Sequence, residues 1–472
     1  MWTIRHSYID GAFVPVQGRE TIECINPATE SVIGTVTLAN REDARQAIAA
    51  AQRAQVTMGR TSKAERIDML RRLQAAVLES TEEIRDTAID EYGAPLARAQ
   101  WVSQYASQSF ANTAQVLENH QLVRPVGRAT VVMEPVGVSA LFAPWNSTAG
   151  TVCSKLAAAI AGGCASVIKP SELSPLQTQV LALALHRAEL PNGVINIVLG
   201  RGSDVGDEIS TSPHIAKISF TGSTATGKLI ARAGIETMKR VSLSLTGKSA
   251  SIVLDDADLE TAIPMALNAA FMNNGQACVA GTRLLVPRGC LPQVIERVKT
   301  LVDATVVGDP RDPATAIGPL VNQAQFDRVQ GFIRRGLEQG ARLIVGGEGR
   351  PHGLSKGYFV KPTVFADVSN DMDIAREEIF GPVLSIIAYD DEEDAIRLAN
   401  ASVYGLQAYV FTREVERGRR IAARLEAGSV LINRIAPELL APFGGVKQSG
   451  IGREFGVSGL EAFLEAKSIV ED

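Results

Sequence analysis

Residues 215–228 read IAKISFTGSTATGK, and they join an apolar strand candidate at 215–220 through a glycine-containing turn to the start of a helix. Upstream, further short apolar runs at 136–142, 166–169 and 195–198 alternate with amphipathic helical stretches. Strands that alternate with helices predict βαβ units, in which helices cover both faces of a mainly parallel sheet. Such a sheet offers its ligand site at the carboxyl ends of its strands. The fold class predicted is therefore α/β.

A second alternation of strands and helices runs over 249–433, with long helices predicted at 259–273 and 323–339. We place a boundary between the two α/β lobes at 245–251. Ahead of the first lobe, apolar residues recur at three- and four-residue spacing, which is typical of amphipathic helices. These helices are predicted at 41–56, 63–89 and 94–116.

The composition is that of an ordinary globular protein, with 46% hydrophobic and 21% charged residues among 472. A net charge of −5 without a basic patch argues against nucleic acid as a partner. The longest apolar run, 156–168, is shorter than the roughly 18 residues that a bilayer requires, so no membrane partner is predicted. The opening residues, MWTIRHSYIDGAFV, lack the continuous apolar segment of a signal peptide.

Cysteine and histidine spacing gives no sign of a metal site or of a disulfide framework. The five cysteines never occur as CxxC, and the five histidines form no HExxH pair. Metal sites and disulfide-rich domains depend on such spacings. We therefore expect a metal-free protein of the reducing cytoplasm.

The turn Gly222–Lys228 nearly matches a phosphate-binding P-loop, GxxxxGK[ST]. Leu229 stands where the motif needs a hydroxyl residue to hold magnesium, so a nucleotide triphosphatase is a weak alternative. A dinucleotide pyrophosphate needs only free N–H groups and small residues at a helix start, and this segment supplies both. For this segment alone, a plain strand–turn–helix junction is the more common explanation.

Two other segments are candidates for function. Cys278 follows the polar run Asn273-Asn274-Gly275-Gln276, although a lone cysteine is more often a buried small hydrophobic residue than a nucleophile. Residues 442–456 contain five glycines, which indicates close backbone approach or special dihedral angles. Long loops inside compact domains are usually functional.

Together these segments resemble the aldehyde dehydrogenase superfamily, and the match covers essentially the whole chain in the right order. One short motif would prove little, but seven in sequence are hard to reach by chance. They are APWN at 143–146, KPSE at 169–172, FTGS at 220–223, LSLTGK at 243–248, NGQAC at 274–278, EEIFGP at 377–382 and PFGG at 442–445.

The resemblance implies a catalytic mechanism. Cys278 would attack the aldehyde carbonyl as a thiolate, and the Asn146 amide with the Cys278 backbone N–H would form the oxyanion hole. Hydride transfer to a nicotinamide would leave a thioester on the sulfur. Lys155 matches a family lysine near the route by which protons leave.

The resemblance also implies NAD or NADP as cofactor. Glu172 slightly favours NAD, because a carboxylate binds the ribose 2′-hydroxyl and repels a 2′-phosphate. Lys169 and Glu172 would hold the adenosine ribose, Ser223 the pyrophosphate, and Glu378 the nicotinamide ribose beside Phe380. The full set expected at the cofactor is Trp145, Lys169, Ser171, Glu172, Gly202, Phe220, Thr221, Gly222, Ser223, Leu245, Thr246, Glu378 and Phe380.

This sequence departs from the family at Ser244 and Thr246, where the family has glutamate and glycine. The missing glutamate usually activates the water that hydrolyses the thioester, and a serine cannot act as a general base unaided. Three outcomes are open. Glu454 replaces the base, or Ser244 merely orders a water, or the acyl group passes to another acceptor such as coenzyme A. A catalytically impaired cofactor-binding homologue is a further alternative.

Small residues at the expected substrate tunnel predict an aldehyde larger than acetaldehyde, for example an aromatic aldehyde or an oxo-acid. Arg434 could bind a substrate carboxylate, or it could pair with Glu438 at the surface. The pocket residues expected are Ser147, Ser154, Ala277, Val279, Arg434 and Phe443.

The family fold implies a Rossmann-like cofactor domain, an α/β catalytic domain and a small β-arm for oligomerisation. We assign 1–113 and 136–246 to the first, 247–447 to the second, and 114–135 with 448–472 to the arm. The arm implies a homodimer or a homotetramer.

Overall fold

The computed structural model describes residues 1–471, which form two α/β lobes and a small antiparallel arm. The α-helices are α1 (Arg41–Met58), α2 (Lys63–Glu79), α3 (Thr81–Tyr92), α4 (Leu96–Asn119), α5 (Thr148–Ala161), α6 (Pro175–Arg187), α7 (Asp207–Thr211), α8 (Thr224–Ile235), α9 (Leu259–Phe271), α10 (Leu291–Asp303), α11 (Gln323–Glu338), α12 (Asp373–Arg376), α13 (Glu392–Asn400), α14 (Val415–Ala422) and α15 (Gly456–Glu461).

The strands are β1 (Trp2–Ile4), β2 (His6–Ile9), β3 (Ala12–Pro15), β4 (Thr21–Asn26), β5 (Ser31–Thr37), β6 (Val123–Val126), β7 (Ala129–Pro135), β8 (Ser139–Ala143), β9 (Ser166–Pro170), β10 (Ile195–Ile197), β11 (Lys217–Thr221), β12 (Arg240–Ser244), β13 (Ala250–Val253), β14 (Arg283–Pro287), β15 (Arg342–Val345), β16 (Thr363–Ala366), β17 (Val383–Tyr389), β18 (Tyr404–Gly405), β19 (Gln407–Phe411), β20 (Ser429–Ile432), β21 (Val446–Lys447), β22 (Gly450–Ile451) and β23 (Leu464–Val470).

The first lobe is built on an eight-stranded sheet of order β22-β12-β11-β8-β9-β10-β2-β3. Strands β12, β11, β8, β9 and β10 are parallel to one another. The chain runs from β8 to β10 on one side and then returns to place β11 and β12 on the other side of β8. The strand order therefore reverses between β8 and β11, and a parallel sheet binds ligands at the carboxyl ends of its strands where this reversal occurs.

The second lobe contains a seven-stranded sheet of order β15-β16-β17-β14-β13-β19-β20, parallel except for β15. Separate clusters of buried apolar side chains cover its two faces. Strands buried on both faces need continuous apolar runs, and β17 (VLSIIAY) is such a run. These two lobes confirm the predicted α/β class.

Helix boundaries follow local capping signals. The Asn40 side chain accepts the N–H groups of Glu42 and Asp43 at the start of α1, and Asp43 bonds back to the Asn40 N–H. The single helix expected over 63–89 is instead two helices, α2 and α3, separated at Ser80. The buried Ser80 hydroxyl donates to the Ala76 carbonyl, and such side-chain bonds compete with the helical ladder.

The arm is a three-stranded sheet of order β23-β7-β6, and it is shorter than the segments assigned to it from the sequence. Residues 114–119 continue helix α4 instead of starting the arm, because their apolar positions remain on the buried face of that helix. Strand β22 extends the edge of the first lobe's sheet by pairing antiparallel with β12.

No helix in residues 1–471 is both long and apolar enough to cross a membrane. In the same range, no group of three or more histidine, cysteine or acidic side chains is placed to hold a metal ion.

Candidate active site

Cys278 follows a short segment in which three consecutive residues adopt left-handed backbone angles. The φ angles of Asn273, Asn274 and Gly275 are +55°, +61° and +70°. Asparagine and glycine tolerate this region better than other residues do. A Cβ atom on Gly275 would lie 2.2 Å from the Gly381 carbonyl carbon, so this position also requires glycine for space.

Buried amide hydrogen bonds hold this segment in place. The Asn274 side chain donates to the carbonyls of Gly93 (2.8 Å) and Pro319 (2.9 Å), and it accepts the N–H of Gly318 (2.7 Å). The Asn274 amide is fully buried, and both of its ends are satisfied. Removing either partner would leave buried polar groups unpaired, so the conformation before Cys278 is strongly specified.

Asn146 leaves the carboxyl end of β8 and reaches the same segment. Its side-chain nitrogen donates to the Gln276 carbonyl at 2.7 Å, and the Asn273 side chain donates to both the Asn146 carbonyl and the Gln276 carbonyl. A side-chain amide has two N–H groups, so one remains for an oxyanion beside Cys278. The described residues offer the Cys278 backbone N–H no backbone acceptor either.

The Cys278 thiol is partly buried, and its pKa is raised to about 12. Burial is the main cause, the negative charges of Glu378 and Glu454 add to it, and Arg98 acts in the opposite direction. Without cofactor or substrate the sulfur is therefore held mostly as the neutral thiol near pH 7.

Cys278 lines a cavity of about 750 Å³, which is large for a small-molecule site. Of the pocket residues expected from the sequence, Ser147, Ser154, Ala277, Val279 and Phe443 also line this cavity.

Arg434 lies outside the cavity lining. Its guanidinium is exposed and donates to the backbone carbonyls of Ala436 and Pro437, which close a surface turn. Glu438, its other expected partner, accepts the Leu440 N–H instead. Among the described residues Arg434 thus fills neither role considered for it: two of its five N–H groups bond to carbonyls of its own loop, and it is not part of the cavity wall.

Ser244 ends strand β12, and its hydroxyl lies in the cavity wall. The residue is 3% exposed, and no hydrogen-bond partner for its oxygen is found among residues 1–471. Thr221 is its register partner on β11, and the Thr221 hydroxyl is likewise buried, unpartnered and part of the cavity wall. Two neighbouring hydroxyls without hydrogen-bond partners on the wall of this cavity offer a bound water two partners.

Glu454 also lines the cavity, and Lys155 holds its carboxylate. The Lys155 ammonium lies 2.6 Å from Glu454 Oε1 and donates to the Ser219 hydroxyl at 2.8 Å. The Lys155 side chain is almost fully buried. Among the described residues Glu454 Oε2 receives no hydrogen bond, which leaves this oxygen free to accept a proton.

The residues expected at a cofactor gather on either side of the cleft between the lobes. At the end of β9, Glu172 lies 3.6 Å from both Lys169 and Arg201. From the second lobe, the Glu378 carboxylate accepts the Gly247 N–H at 3.2 Å, and its burial raises its pKa to about 7. Two cations and two carboxylates near the ends of sheet strands suit the hydroxyl and phosphate groups of a nucleotide.

Near helix α8, the Ser223 hydroxyl accepts the Thr226 N–H and caps the helix. Thr246, which replaces the glycine expected from the resemblance, contacts the start of this helix: its hydroxyl accepts the Thr224 N–H at 3.3 Å. Aromatic rings continue the cleft, with Trp145 packed edge-to-face on Phe380 at 5.6 Å.

The remaining cofactor candidates have local roles. Ser171 accepts the Leu173 N–H in the turn after β9, and nothing lies within 4 Å of a Cβ built on Gly202. A Cβ on Gly222 would meet the Phe220 ring, and one on Gly227 would meet Leu245, so both glycines permit close packing of α8.

Comparison with known proteins identifies the family of this chain. Residues 13–469 match the model of the family described as the aldehyde dehydrogenase family. The chain belongs to that family. This aldehyde dehydrogenase is 43% identical over 468 residues to a 3-succinoylsemialdehyde-pyridine dehydrogenase from Pseudomonas sp, with 99% of this chain and 98% of that protein covered.

Solved structures agree with the family assignment. A mutant of aldehyde dehydrogenase C from Pseudomonas syringae, in complex with NAD+ and octanal, matches with a TM-score of 0.97 and 42% identity over 99% of this chain and 96% of that one. The NAD+ complex of an aldehyde dehydrogenase from Bacillus cereus matches with a TM-score of 0.94 and 39% identity, again over 99% and 96%. The fold predicted from the resemblance is thereby confirmed.

One group in the active site of this aldehyde dehydrogenase is absent from the sequence-based candidates. Arg98, Trp101 and Tyr105 lie on one face of α4, and all three line the cavity that contains Cys278. Their spacing of three and four residues could have indicated a shared face, but an isolated arginine on an amphipathic helix is usually solvated.

The raised thiol pKa predicts how Cys278 reacts in the cofactor-free protein. Because the pKa of Cys278 is about 12, its thiolate fraction rises about tenfold per pH unit at every pH well below that value. The rate of its alkylation by iodoacetamide should therefore rise about tenfold per pH unit from pH 7 to 10. Mass spectrometry of the Cys278 peptide measures the rate, and glutathione, which levels off near pH 9, is the control. A plateau for Cys278 below pH 9 would contradict this account.

Proposed function

We propose that this aldehyde dehydrogenase oxidises a medium-sized aldehyde, aromatic or an oxo-acid, to the carboxylic acid through a thioester on Cys278, with NAD(P) as the hydride acceptor. The observation that carries the proposal is the position of Cys278 beside a free Asn146 N–H on the wall of a cavity of about 750 Å³.

In the first half-reaction the Cys278 thiol loses its proton to a water molecule, the thiolate adds to the aldehyde carbonyl carbon, and the carbonyl oxygen becomes an alkoxide. The Asn146 amide and the Cys278 backbone N–H donate to this oxygen. Removing one donor of this kind costs roughly 3–4 kcal/mol of transition-state stabilisation. Because the Gln276 carbonyl orients the Asn146 amide, little reorganisation is needed as the charge develops.

The residues of the cleft fit a nicotinamide dinucleotide. Lys169 and Glu172 would hold the adenosine ribose, Ser223 the pyrophosphate and Glu378 the nicotinamide ribose, and their contacts within the protein support this assignment. When bound, the cofactor supplies a hydride acceptor. Glu172 favours NAD by its charge, and solved relatives contain NAD+. Arg201, beside Glu172, is a cation that could also accept a 2′-phosphate, so NADP remains the second candidate.

In the second half-reaction Glu454 acts as the general base in place of the absent glutamate at position 244. Its free Oε2 accepts a proton from a water held by the Ser244 and Thr221 hydroxyls. The hydroxide formed attacks the thioester carbonyl, the carbon–sulfur bond breaks, and Cys278 leaves as thiolate. Lys155 keeps the Glu454 carboxylate oriented through their ion pair.

Incubation of the purified protein with NAD or NADP and benzaldehyde tests the proposed function. We expect NADH or NADPH to form, together with benzoate in equal amount. Cys278→Ala should abolish this reaction, because no other cysteine of the chain lines the cavity. The reference is Cys290→Ala, which removes a thiol outside the cavity. Reduced cofactor formed at an undiminished rate by Cys278→Ala would refute the proposal.

Glu454→Gln separates the two half-reactions. We expect steady-state turnover to fall about 10²–10⁴-fold, since a positioned base contributes that much, while the first-turnover burst of NADH persists. The control is Glu461→Gln, which removes an exposed carboxylate on the adjacent helix α15. Equal losses of burst and turnover would remove Glu454 from deacylation. Unchanged turnover would favour a water ordered by Ser244 alone.

Acyl transfer to another acceptor is the second candidate, and the replacement of the usual base by Ser244 favours it. Free coenzyme A added to the burst reaction distinguishes the two outcomes. Formation of benzoyl-coenzyme A in place of benzoate would support transfer, whereas benzoate alone supports hydrolysis.

The cavity predicts a preference for larger aldehydes. Small side chains at Ser147, Ser154 and Ala277 leave volume beside the sulfur, and apolar burial of a phenyl ring is worth several kcal/mol. We expect kcat/KM for benzaldehyde to exceed that for acetaldehyde by at least about 100-fold. Ser154→Leu should reduce kcat/KM for benzaldehyde more than for acetaldehyde. A wild-type preference for acetaldehyde would disprove the wide tunnel.

The arm supports self-association. Its strands leave apolar side chains exposed on β6 and β23, namely Val123, Val126, Ile469 and Val470. Burying this surface against a second copy would stabilise a homodimer or a homotetramer. A cytoplasmic location and the absence of nucleic-acid partners stay predictions from the sequence.

A further inference from the structure

Arg98 brings a positive charge into the cavity that contains Cys278. It lies one turn into α4, and its guanidinium carbon sits 4.3 Å from the centroid of the Trp101 ring. Trp101 in turn stacks on Tyr105 at 5.1 Å. This packing holds one face of the planar guanidinium against the aromatic rings. The N–H groups at the edge of the guanidinium plane stay available to a hydrogen-bond acceptor.

Among the residues that the structure describes, no hydrogen bond or ion pair involves the Arg98 side chain, and its buried Nε has no partner. The buried Arg283 provides a contrast, since it donates to the carbonyls of Lys248, Leu398 and Ala399. An arginine that is retained in a cavity without such acceptors is free to bind a ligand.

The charges around the cavity favour an anion near Arg98. The charged side chains in the cavity wall are Arg98 and Glu454, and Lys155 neutralises Glu454. No carboxylate of the wall is therefore available to Arg98. Burial lowers the pKa of the Arg98 guanidinium, because the charged form loses solvation in the cavity wall. A bound anion would offset this cost.

We propose that Arg98 determines substrate specificity by binding a carboxylate of the aldehyde substrate, so that the preferred substrates carry both an aldehyde and a carboxylate. This inference rests on the proposed function, because the aldehyde end must reach Cys278. Arginine binds carboxylates through two parallel N–H···O bonds, which fixes orientation as well as charge. The aromatic wall of Trp101 and Tyr105 suits a flat ring between the two groups.

Matched aldehyde pairs test this assignment. The pairs are para-formylbenzoate with para-tolualdehyde, and adipate semialdehyde with hexanal. In the wild-type enzyme we expect kcat/KM to be at least about tenfold higher for the carboxylated member of a pair. Arg98→Met should lower the ratio of the two values about 10–100-fold, mainly through KM, since a hydrogen bond to a charged group is lost. Arg98→Lys should restore part of the ratio.

The ratio within a pair separates binding from effects on the sulfur. Arg98 also lies near enough to influence Cys278, and loss of that influence would slow both members of a pair equally. Equal slowing, or a ratio that does not change in Arg98→Met, would overturn the proposal. Arg434→Met is the matched comparison, and a selective loss of carboxylated substrates there instead would assign the role to Arg434.

A binding measurement keeps this inference separate from the proposed function. In Cys278→Ala protein, calorimetry with para-formylbenzoate should show binding that Arg98→Met weakens by about tenfold or more. If no aldehyde gives reduced cofactor in the wild-type enzyme, the proposed oxidation fails. In that case the difference in affinity caused by Arg98→Met alone decides whether Arg98 binds a carboxylate.

Discussion

Three successive residues in left-handed backbone conformation determine where the reactive sulfur lies. Asn273, Asn274 and Gly275 turn the chain sharply after helix α9, and amide hydrogen bonds to Gly93, Gly318 and Pro319 hold the turn. A left-handed backbone conformation costs conformational free energy, so surrounding contacts must stabilise it. Here those contacts come from parts of the chain far apart in sequence, so the position of the sulfur depends on the complete fold.

The same constraint joins the two lobes. Asn146 extends from the first sheet and bonds to Gln276 in the second lobe, while the Asn274 amide of the second lobe donates to the Gly93 carbonyl of the first. Residues at and after the carboxyl ends of β8 and β11, where the strand order reverses, thus line the same cavity as the sulfur. A substrate bound to the sulfur would donate its hydride to a cofactor bound at the carboxyl ends of these strands. The backbone would hold the two close together, so few side chains would need to move.

The sequence predicted the α/β class and the approximate ranges of the longer helices and of the central strands of the first sheet, because alternation of apolar strands and amphipathic helices is a local signal. The small residues expected at the substrate tunnel lie on the cavity wall, and their role there stays a prediction. The sequence did not indicate the break at Ser80, where one hydroxyl interrupts a helical pattern, or the bonds that Arg434 makes to its own loop outside the cavity wall. Arg98 was missed because its lack of partners is a tertiary property that no local pattern reports.

The exchange at position 244 has an electrostatic consequence beyond the loss of a base. A glutamate there would add a second carboxylate to the cavity wall, and its negative charge would repel a thiolate and an anionic reactant. Because the Ser244 hydroxyl is neutral, no negative charge at position 244 reduces the positive potential that Arg98 produces in the cavity. Such a cavity attracts anions over distances comparable to the Debye length, so their capture weakens as ionic strength increases.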